Sequence, residues 1–125
     1  MTLQIPKLRA AVLAADETLA DKTLTVQFRG TADVEAKPEL DQYVEALHRE
    51  ATRIGVAKLT LDFRELEFMN SSSFKVFVTL LSQVQELPTD KQYRIHFLSN
   101  PNMHWQRRSL AALSCFAVDL VAIET

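Results

Sequence analysis

Several sequence patterns that mark common protein classes are missing from this chain. Only two of its 125 residues are glycine, Gly30 and Gly55. The motifs G-x-G-x-x-G, G-x-x-x-x-G-K-S/T and G-x-S-x-G are therefore all absent, which excludes the usual phosphate-cradling glycine loops. The single cysteine, Cys115, cannot form a disulfide bond within the chain, and we interpret it as a small core residue.

Charge and hydrophobicity give no indication of nucleic-acid or membrane binding. The formal net charge at pH 7 is -2, and the 14 lysines and arginines are scattered rather than clustered. No stretch of 18 or more apolar residues occurs, and the N-terminus lacks the basic start and apolar run of a secretory leader. We therefore expect one cytoplasmic domain over residues 1–125, with no nucleic-acid and no membrane partner.

Hydrophobic periodicity predicts an early pair of strands followed by a helix. The segment 9–30 is typical of two strands joined by a turn around residues 15–22, because apolar and polar residues alternate near its end. Residues 38–54 carry apolar side chains at helical spacing, with Pro38 early and Gly55 just beyond the end. This segment is the clearest predicted helix.

The rest of the chain continues the alternation of strands and helices. A strand at 58–63 precedes a loop over 64–67 and a helix that ends before Pro88, and a further strand leads to a helix starting at Ser99 or Asn100. That last helix should bury Met103, Leu110, Leu113 and Phe116, and a final strand follows it. The order predicts an α/β fold with a mixed sheet of about four to six strands and three or more helices mainly on one face.

The stretch LEFMNSSSFKVF, residues 66–77, interrupts an apolar pattern with one asparagine and three serines. A helix cap needs only one such residue, so capping alone leaves the other three unexplained. Several hydroxyl groups at the positive end of a helix dipole would place an added phosphate beside free backbone N–H groups. Lys75 lies one turn beyond Ser71, from where its side chain could reach that phosphate. The alternative is that Lys75 is only a solvated residue on the polar face of the helix. The stretch indicates either a cap or a modification site.

Other residues with reactive side chains form no recognisable catalytic or metal-binding pattern. His48, His96 and His104 lack the spacing of metal ligands, and there is no Cys-x-x-Cys motif. Asp62 and Glu67 could pair as acid and base only across a strand and a loop. A nucleophilic serine at position 71 would have His96 as its sole candidate base, by topology alone. We therefore expect no metal, no cofactor and no enzymatic activity.

The segment KLTLDFRELEFMNSSSFKVFVTLL, residues 58–81, resembles the core motif of STAS domains, the fold of bacterial anti-sigma-factor antagonists. In that family a strand of the type vvlDls, a short loop and the motif fiDSSG lead into an amphipathic helix. The order of elements extends the resemblance over roughly residues 9–124. Asn70 stands where the family has aspartate, and Ser73 stands where it has glycine. The resemblance implies a single STAS-like domain.

The resemblance also implies a function and a site. In the family, the serine or threonine after the aspartate is phosphorylated, which implies Ser71 as the phosphorylation site with Asn70, Ser72 and Ser73 flanking it. The implied function is signal transduction by partner switching in transcription regulation, in which the unphosphorylated phosphoprotein binds its partner. The implied partners are a serine kinase or anti-sigma factor of the histidine-kinase-like ATPase type and a PP2C-type phosphatase.

Two alternatives remain open. LEFMNSSSFKV is also similar to the SiaC-type regulatory phosphoproteins, in which an Asn-Thr-Ser-Ser motif is phosphorylated and the unmodified protein activates a diguanylate cyclase. The other alternative is a scaffold or small-molecule-binding module that uses the same fold without phosphorylation. The sequence leaves a homodimer open as well.

The segment MHWQRRSL suggests a second contact surface. On a helix that buries Met103, Leu110 and Leu113, the side chains of Trp105, Arg107 and Arg108 cannot all face the core. Tryptophan and arginine are enriched at protein interfaces, so these three residues, like Lys75, are candidates for partner binding. The alternative is that Trp105 folds over the edge of the domain while the arginines stay solvated.

Overall fold

The computed structural model describes residues 3–8 and 10–125. Arg9, where the first strand was predicted to start, lies outside the described residues. Within them the elements follow one another as β1 (Leu13–Ala20), β2 (Thr23–Ala32), α1 (Lys37–Ile54), β3 (Lys58–Met69), α2 (Ser71–Gln85), β4 (Arg94–Leu98), α3 (His104–Phe116) and β5 (Val121–Glu124). A short 3-10 turn, Thr89–Lys91, precedes β4. The predicted order of strands and helices is confirmed.

The described strands form one mixed sheet in the order β1-β2-β3-β4-β5. β1 is antiparallel to β2, and the remaining neighbours are parallel. Each parallel pair is connected through one helix, and every crossover moves in the same direction across the sheet. Because such crossovers are right-handed, α1, α2 and α3 lie on one face, as predicted.

An aromatic cluster fixes α2 against the middle of the sheet. Phe28 on β2, Phe63 on β3 and Phe77 on α2 are buried and meet edge to face, with ring centroids 5.2 to 5.8 Å apart. Phe63 also meets Phe97 of β4 at 5.3 Å. Such pairs add about 0.5–1.5 kcal/mol each beyond the burial of area. The cluster therefore anchors the middle of α2 to the sheet.

The predicted turn at residues 15–22 is wrong, because β1 continues to Ala20. Its ladder with β2 is unbroken from Leu13 opposite Gly30 to Ala20 opposite Thr23. The chain reverses at Asp21, which has a φ of 56°. Aspartate tolerates this left-handed conformation better than most residues, so a two-residue turn suffices.

The predicted loop at 64–67 is also wrong, since β3 runs without interruption from Lys58 to Met69. Its second half stays paired with β2, from Glu65 opposite Arg29 to Met69 opposite Ala32, with one register shift just before this stretch and one inside it. Gly30 lies within this irregular stretch at a φ of 104°, and a Cβ there would be 2.1 Å from the Val12 carbonyl oxygen. Glycine is thus required where β1 approaches β2.

Helix boundaries agree with prediction at α1 and differ at α3. Pro38 lies in the first turn of α1, and Gly55 ends it in the left-handed conformation with a φ of 76°. α3 begins at His104, later than the predicted start at Ser99 or Asn100, because residues 101–102 form a turn first.

The last turn of α3 is less buried than predicted. Phe116, expected in the apolar stripe, is half exposed, and Cys115, expected in the core, is exposed. Both residues lie beyond Leu113, the last buried residue of α3. No helix among the described residues is long and apolar enough to cross a membrane.

The N-terminal segment lies against α1. The backbone N–H of Gln4 donates to the carboxylate of Glu50, and Leu8 is buried in the core. Arg53 donates to the same carboxylate at 2.6 Å, which explains how a buried glutamate is tolerated. The described part of the segment therefore packs against α1. We call the face of the sheet opposite the helices, which no described helix covers, the open face.

Candidate functional site

Asn70 connects β3 to α2 directly and caps the helix. Its backbone N–H donates to the Ala32 carbonyl at 3.0 Å, which extends the strand pairing by one residue. Its side-chain Oδ1 accepts from the Ser73 backbone N–H at 2.8 Å, and its backbone is extended. This is the geometry of an N-cap residue. Asn70 therefore satisfies the capping requirement, and the three serines after it are not needed as caps.

The three serines differ in exposure although they are consecutive. Ser71 is exposed, Ser72 is half-buried, and Ser73 is 0% exposed. Among the described residues the Ser73 hydroxyl has no hydrogen-bond partner. Ser73 is thus packed against the core, and Ser71 presents its hydroxyl to solvent at the first position of α2.

Lys75 is exposed one turn after Ser71 and borders a cleft between α1 and α2. We call this the lysine cleft. It has a volume of about 280 Å³ and is lined by Lys37, Asp41, Ser72, Lys75, Val76 and Thr79. Lys37 and Asp41 form an ion pair across one turn of α1. Ser71 lies outside the lining of the cleft, although it precedes Ser72 in the chain.

An exposed aromatic residue lies close to Ser71 and was not identified from the sequence. Phe68 is 49% exposed near the end of β3, where it pairs with Thr31. The Thr31 backbone N–H donates to the Val12 carbonyl at 2.8 Å, and Val12 is also exposed. Because the neighbouring Met69 and Leu13 point into the core, Phe68 and Val12 lie on the open face. The sequence predicted a loop at 64–67 instead of a continuous strand, and for that reason the exposure of Phe68 was not predicted.

Two amide side chains bind the start of α3 to the second half of β3. Gln106 is 0% exposed, and its Nε2 donates to the carbonyls of Phe63 at 2.6 Å and Leu66 at 3.0 Å. Its Oε1 accepts from the Asn100 backbone N–H at 2.7 Å. The Asn100 Nδ2 in turn donates to the Arg64 carbonyl at 3.1 Å. We call Asn100 and Gln106 the amide clasp.

The amide clasp replaces a missing strand. β4 pairs with β3 only as far as Asp62 opposite Leu98, so later carbonyls on that side of β3 have no strand partner. Buried carbonyls without a partner are costly, and the two side chains supply the donors. The sequence feature that could have indicated the clasp is Gln106, a polar residue within the apolar stripe of Met103, Leu110 and Leu113.

The three predicted partner-binding residues on α3 have different environments. Arg107 and Arg108 are exposed, whereas Trp105 is half-buried and packs against the core. The indole Nε1 of Trp105 is buried and has no hydrogen-bond partner among the described residues. Trp105 is thus partly packed against the core, and partner binding by Trp105, Arg107 and Arg108 stays a prediction.

His96, considered as a base for Ser71, lies far from it. His96 pairs with Thr60 on the sheet, and its Nδ1 is 3.2 Å from Glu124 Oε1. β3 continues from Thr60 to Met69, which at about 3.3 Å per residue places His96 roughly 25–30 Å from Ser71 at the start of α2. His96 is therefore no base for Ser71. The described residues contain no group of three or more His, Cys, Asp or Glu that could hold a metal ion.

Asp62 has a structural role beside the clasp. Its carboxylate accepts from the Arg64 backbone N–H and Nε at 3.0 Å each and from Nη2 at 2.8 Å. Burial by itself would raise the pKa of Asp62, but the three Arg64 donors outweigh burial and hold that pKa below its usual value. Glu67, its proposed catalytic partner, is exposed on β3 rather than in a loop.

Comparison with solved structures identifies the fold. An anti-sigma factor antagonist from Mycobacterium paratuberculosis matches with a TM-score of 0.65 and 15% sequence identity, over 90% of this chain and 85% of that chain. The anti-sigma factor antagonist SpoIIAA in its unphosphorylated form matches with a TM-score of 0.59 and 16% identity, over 90% and 89% of the two chains. These likenesses confirm the expected STAS-like fold and leave the SiaC-type similarity a prediction. Comparisons with protein-family models and with curated proteins find no match.

Proposed function

We propose that this protein is a regulatory module of the anti-sigma-factor-antagonist type, which binds a protein partner when unmodified and releases it when Ser71 is phosphorylated. The proposal is based mainly on the free hydroxyl of Ser71. It is exposed at the first position of α2, after a cap that Asn70 alone completes. The STAS-like fold supports the type of function, since its structural neighbours are anti-sigma factor antagonists.

The partner contacts the surface formed by Phe68, Ser71 and Lys75, which we call the α2 surface. An exposed phenylalanine offers an apolar contact of the kind that dominates interface energies, next to a residue that can become charged. A phosphate adds about -1.5 to -2 charges and three acceptor oxygens. In a packed interface these would be desolvated beside the Phe68 ring, and each ~1.4 kcal/mol of lost binding energy lowers affinity tenfold.

The modification should leave the fold in place. The Ser71 hydroxyl forms no hydrogen bond with the described residues, so a phosphate there breaks no internal contact. A helix N-terminus also favours a negative charge, by about 0.3–1 kcal/mol at an exposed position. The change in binding is therefore a local change of the α2 surface. The kinase we propose is of the histidine-kinase-like ATPase type, and a PP2C-type phosphatase reverses its action.

The proposal is tested by intact-mass measurement and phosphopeptide mapping of the protein purified from its own host, with Ser71→Ala as the variant. Ser82→Ala is the matched control, since Ser82 is also exposed on α2 but lies three turns away. We expect a phosphate on Ser71 and a clear fall in total phosphate in Ser71→Ala alone. Phosphorylation of Ser71→Ala to the wild-type level would contradict the assignment.

A binding measurement separates a switch from an incidental modification. The cognate kinase, identified from the same genome, is titrated against the unmodified protein and against protein with phosphoserine at position 71. We expect at least a tenfold weaker affinity for the modified form and a similar weakening for Phe68→Ala. Equal affinities for the modified and unmodified proteins would favour a constitutive binding module.

A further inference from the structure

The lysine cleft distinguishes two serines that the sequence treats alike. Ser72 lines the cleft between α1 and α2, together with Lys37 and Lys75, whereas Ser71 does not. Ser72 is half-buried and Ser71 is exposed. A group attached to Ser72 would therefore extend into the space between the helices, and the same group on Ser71 would extend into solvent.

The charges around the cleft suit a phosphate. Its ionisable side chains are Lys37, Asp41 and Lys75, so its formal charge is about +1 at neutral pH. Lys37 donates to Asp41, while Lys75 has no ion pair or hydrogen bond through its side chain among the described residues. An ammonium group has three donors, so Lys37 can keep its bond to Asp41 and still donate to a second acceptor.

We propose that Ser72 is a second phosphate-accepting residue and that its phosphate is held in the lysine cleft by Lys37 and Lys75. The inference rests on the proposed function for the kinase that modifies this helix. In the transfer, Ser72 Oγ forms a bond to the γ-phosphorus of ATP, the bond from that phosphorus to the bridging oxygen breaks, ADP leaves, and the hydroxyl proton passes to solvent.

The two modifications then have different consequences. Lys75 lies three residues after Ser72, so it is on the same side of α2 and within reach of the phosphate oxygens. Lys37 approaches from α1, and Asp41 weakens the attraction without cancelling it. A phosphate on Ser72 is therefore largely neutralised between the helices, whereas a phosphate on Ser71 stays exposed on the α2 surface. Ser71 is the residue that blocks the partner, and Ser72 modulates the charge of the cleft.

The holding of the phosphate is tested on the full chain with phosphoserine placed at position 71 or 72 during translation. Phosphorus NMR titration then gives the second pKa of each phosphate, which is about 6 for a free phosphoserine. Nearby ammonium groups favour the dianion, so we expect the pKa at position 72 to be lower than that at position 71 by about 0.5 or more. The difference should vanish in the Lys37→Ala, Lys75→Ala double variant and persist in the control Lys91→Ala.

Equal pKa values at the two positions, or a difference that survives removal of both lysines, would overturn the phosphate site. Acceptance by Ser72 is tested separately, by treating Ser71→Ala with the cognate kinase and ATP. In Ser71→Ala we expect phosphate on Ser72, with less total phosphate than in the wild type. This phosphate should be completely absent from the Ser71→Ala, Ser72→Ala double variant. Absence of phosphate on Ser72 under all kinase conditions would overturn the second acceptor.

The outcome of the NMR titration is independent of the test of the proposed function, whereas acceptance by Ser72 depends on the proposed kinase. The NMR titration requires neither kinase nor partner, so a failure to find phosphate on Ser71 in the host does not affect it. Equal pKa values would remove the cleft site and leave the Ser71 switch unaffected.

Discussion

The helices α2 and α3 both start near the ends of parallel strands, but they are held there by different means. α2 follows β3 after a single residue, and Asn70 caps it through a bond to an N–H three positions later. α3 starts after a turn with Met103 as its N-cap, which makes no side-chain cap bond. Its first turn is held instead by Gln106, which bonds to carbonyls 40 and 43 residues away in sequence.

The difference shows how each helix start depends on the rest of the fold. A local cap works wherever its own few residues adopt the right backbone angles. The amide clasp works only if the second half of β3 keeps its bulged path, because its carbonyls are the acceptors. We therefore expect the α2 surface to tolerate changes elsewhere in the sheet, and the start of α3 to depend on residues 63–66.

The largest expected effect follows from removing the clasp. Gln106→Ala leaves the carbonyls of Phe63 and Leu66 and the Asn100 N–H without their partner in a buried site. Each such group costs about 1–3 kcal/mol, and water entering the space recovers part of it, so we expect a loss of about 3 kcal/mol in the free energy of unfolding. Urea denaturation measures it.

Two controls sharpen this prediction. Gln42→Ala, on an exposed position of α1, should change stability by less than about 0.5 kcal/mol. Gln106→Met keeps the size of the side chain but removes its donors, and it should recover little of the loss. If Gln106→Ala were as stable as Gln42→Ala, α3 would be held by packing alone, and the contrast between the two helices would not hold.

A smaller effect is expected at the cap of α2. Asn70→Ala removes the acceptor for the Ser73 N–H and should cost about 0.5–2 kcal/mol, while Asn70→Asp should retain most of the stability. Thermal unfolding of the two variants makes the comparison. A loss in Asn70→Ala as large as that in Gln106→Ala would mean that the cap supports more than its own helix.

The same contrast explains what could be predicted from the sequence. The cap of α2, the Pro38 and Gly55 boundaries of α1, and the order of elements depend on residues close in sequence, and these predictions were confirmed. The start of α3 depends on β3 carbonyls that have no partner on β4. No local sequence pattern indicates that β4 ends before the end of β3. The prediction therefore placed the helix start at the first Ser-Asn-Pro signal instead.

The site was predictable to the same extent. The position of Asn70 and its serines after a strand followed from the local motif. The unequal exposure of Ser71, Ser72 and Ser73 did not, because it depends on how α1 packs beside α2. Phe68 was missed for a related reason, since the pairing of β3 with an irregular β2 keeps residues 64–67 extended and turns Phe68 to the open face.

Acid should loosen the clasp region before the cap of α2. The folded-state pKa of Asp62 is lowered, so its contribution to stability is present above its unfolded pKa of about 3.9 and is lost as pH falls through the lower folded value. The backbone carbonyl of Arg64, the partner of Asp62, also accepts a hydrogen bond from the Asn100 side chain. Below about pH 4 we expect the wild type to lose stability more steeply than Asp62→Asn, which has no carboxylate to protonate.

Hydrogen exchange tests where that loss occurs. As pH falls, protection of the Asn100 and Gln106 amides, corrected for the intrinsic pH dependence of exchange, should decrease before that of the Ser73 amide. A simultaneous loss at all three amides would show that the two helix starts unfold as one unit.

The smallest expected effect is at Ser71 itself. Its side chain makes no hydrogen bond with the described residues, and the cap bond belongs to Asn70, so Ser71→Ala should change the free energy of unfolding by less than about 0.5 kcal/mol. Ser73→Ala is the informative companion, because its buried hydroxyl has no partner among the described residues and its removal should be neutral or stabilising. A loss above 1 kcal/mol in Ser71→Ala, measured by urea denaturation, would give this serine a structural role. Only if Ser71 has no structural role could the proposed phosphorylation change partner binding without changing the fold.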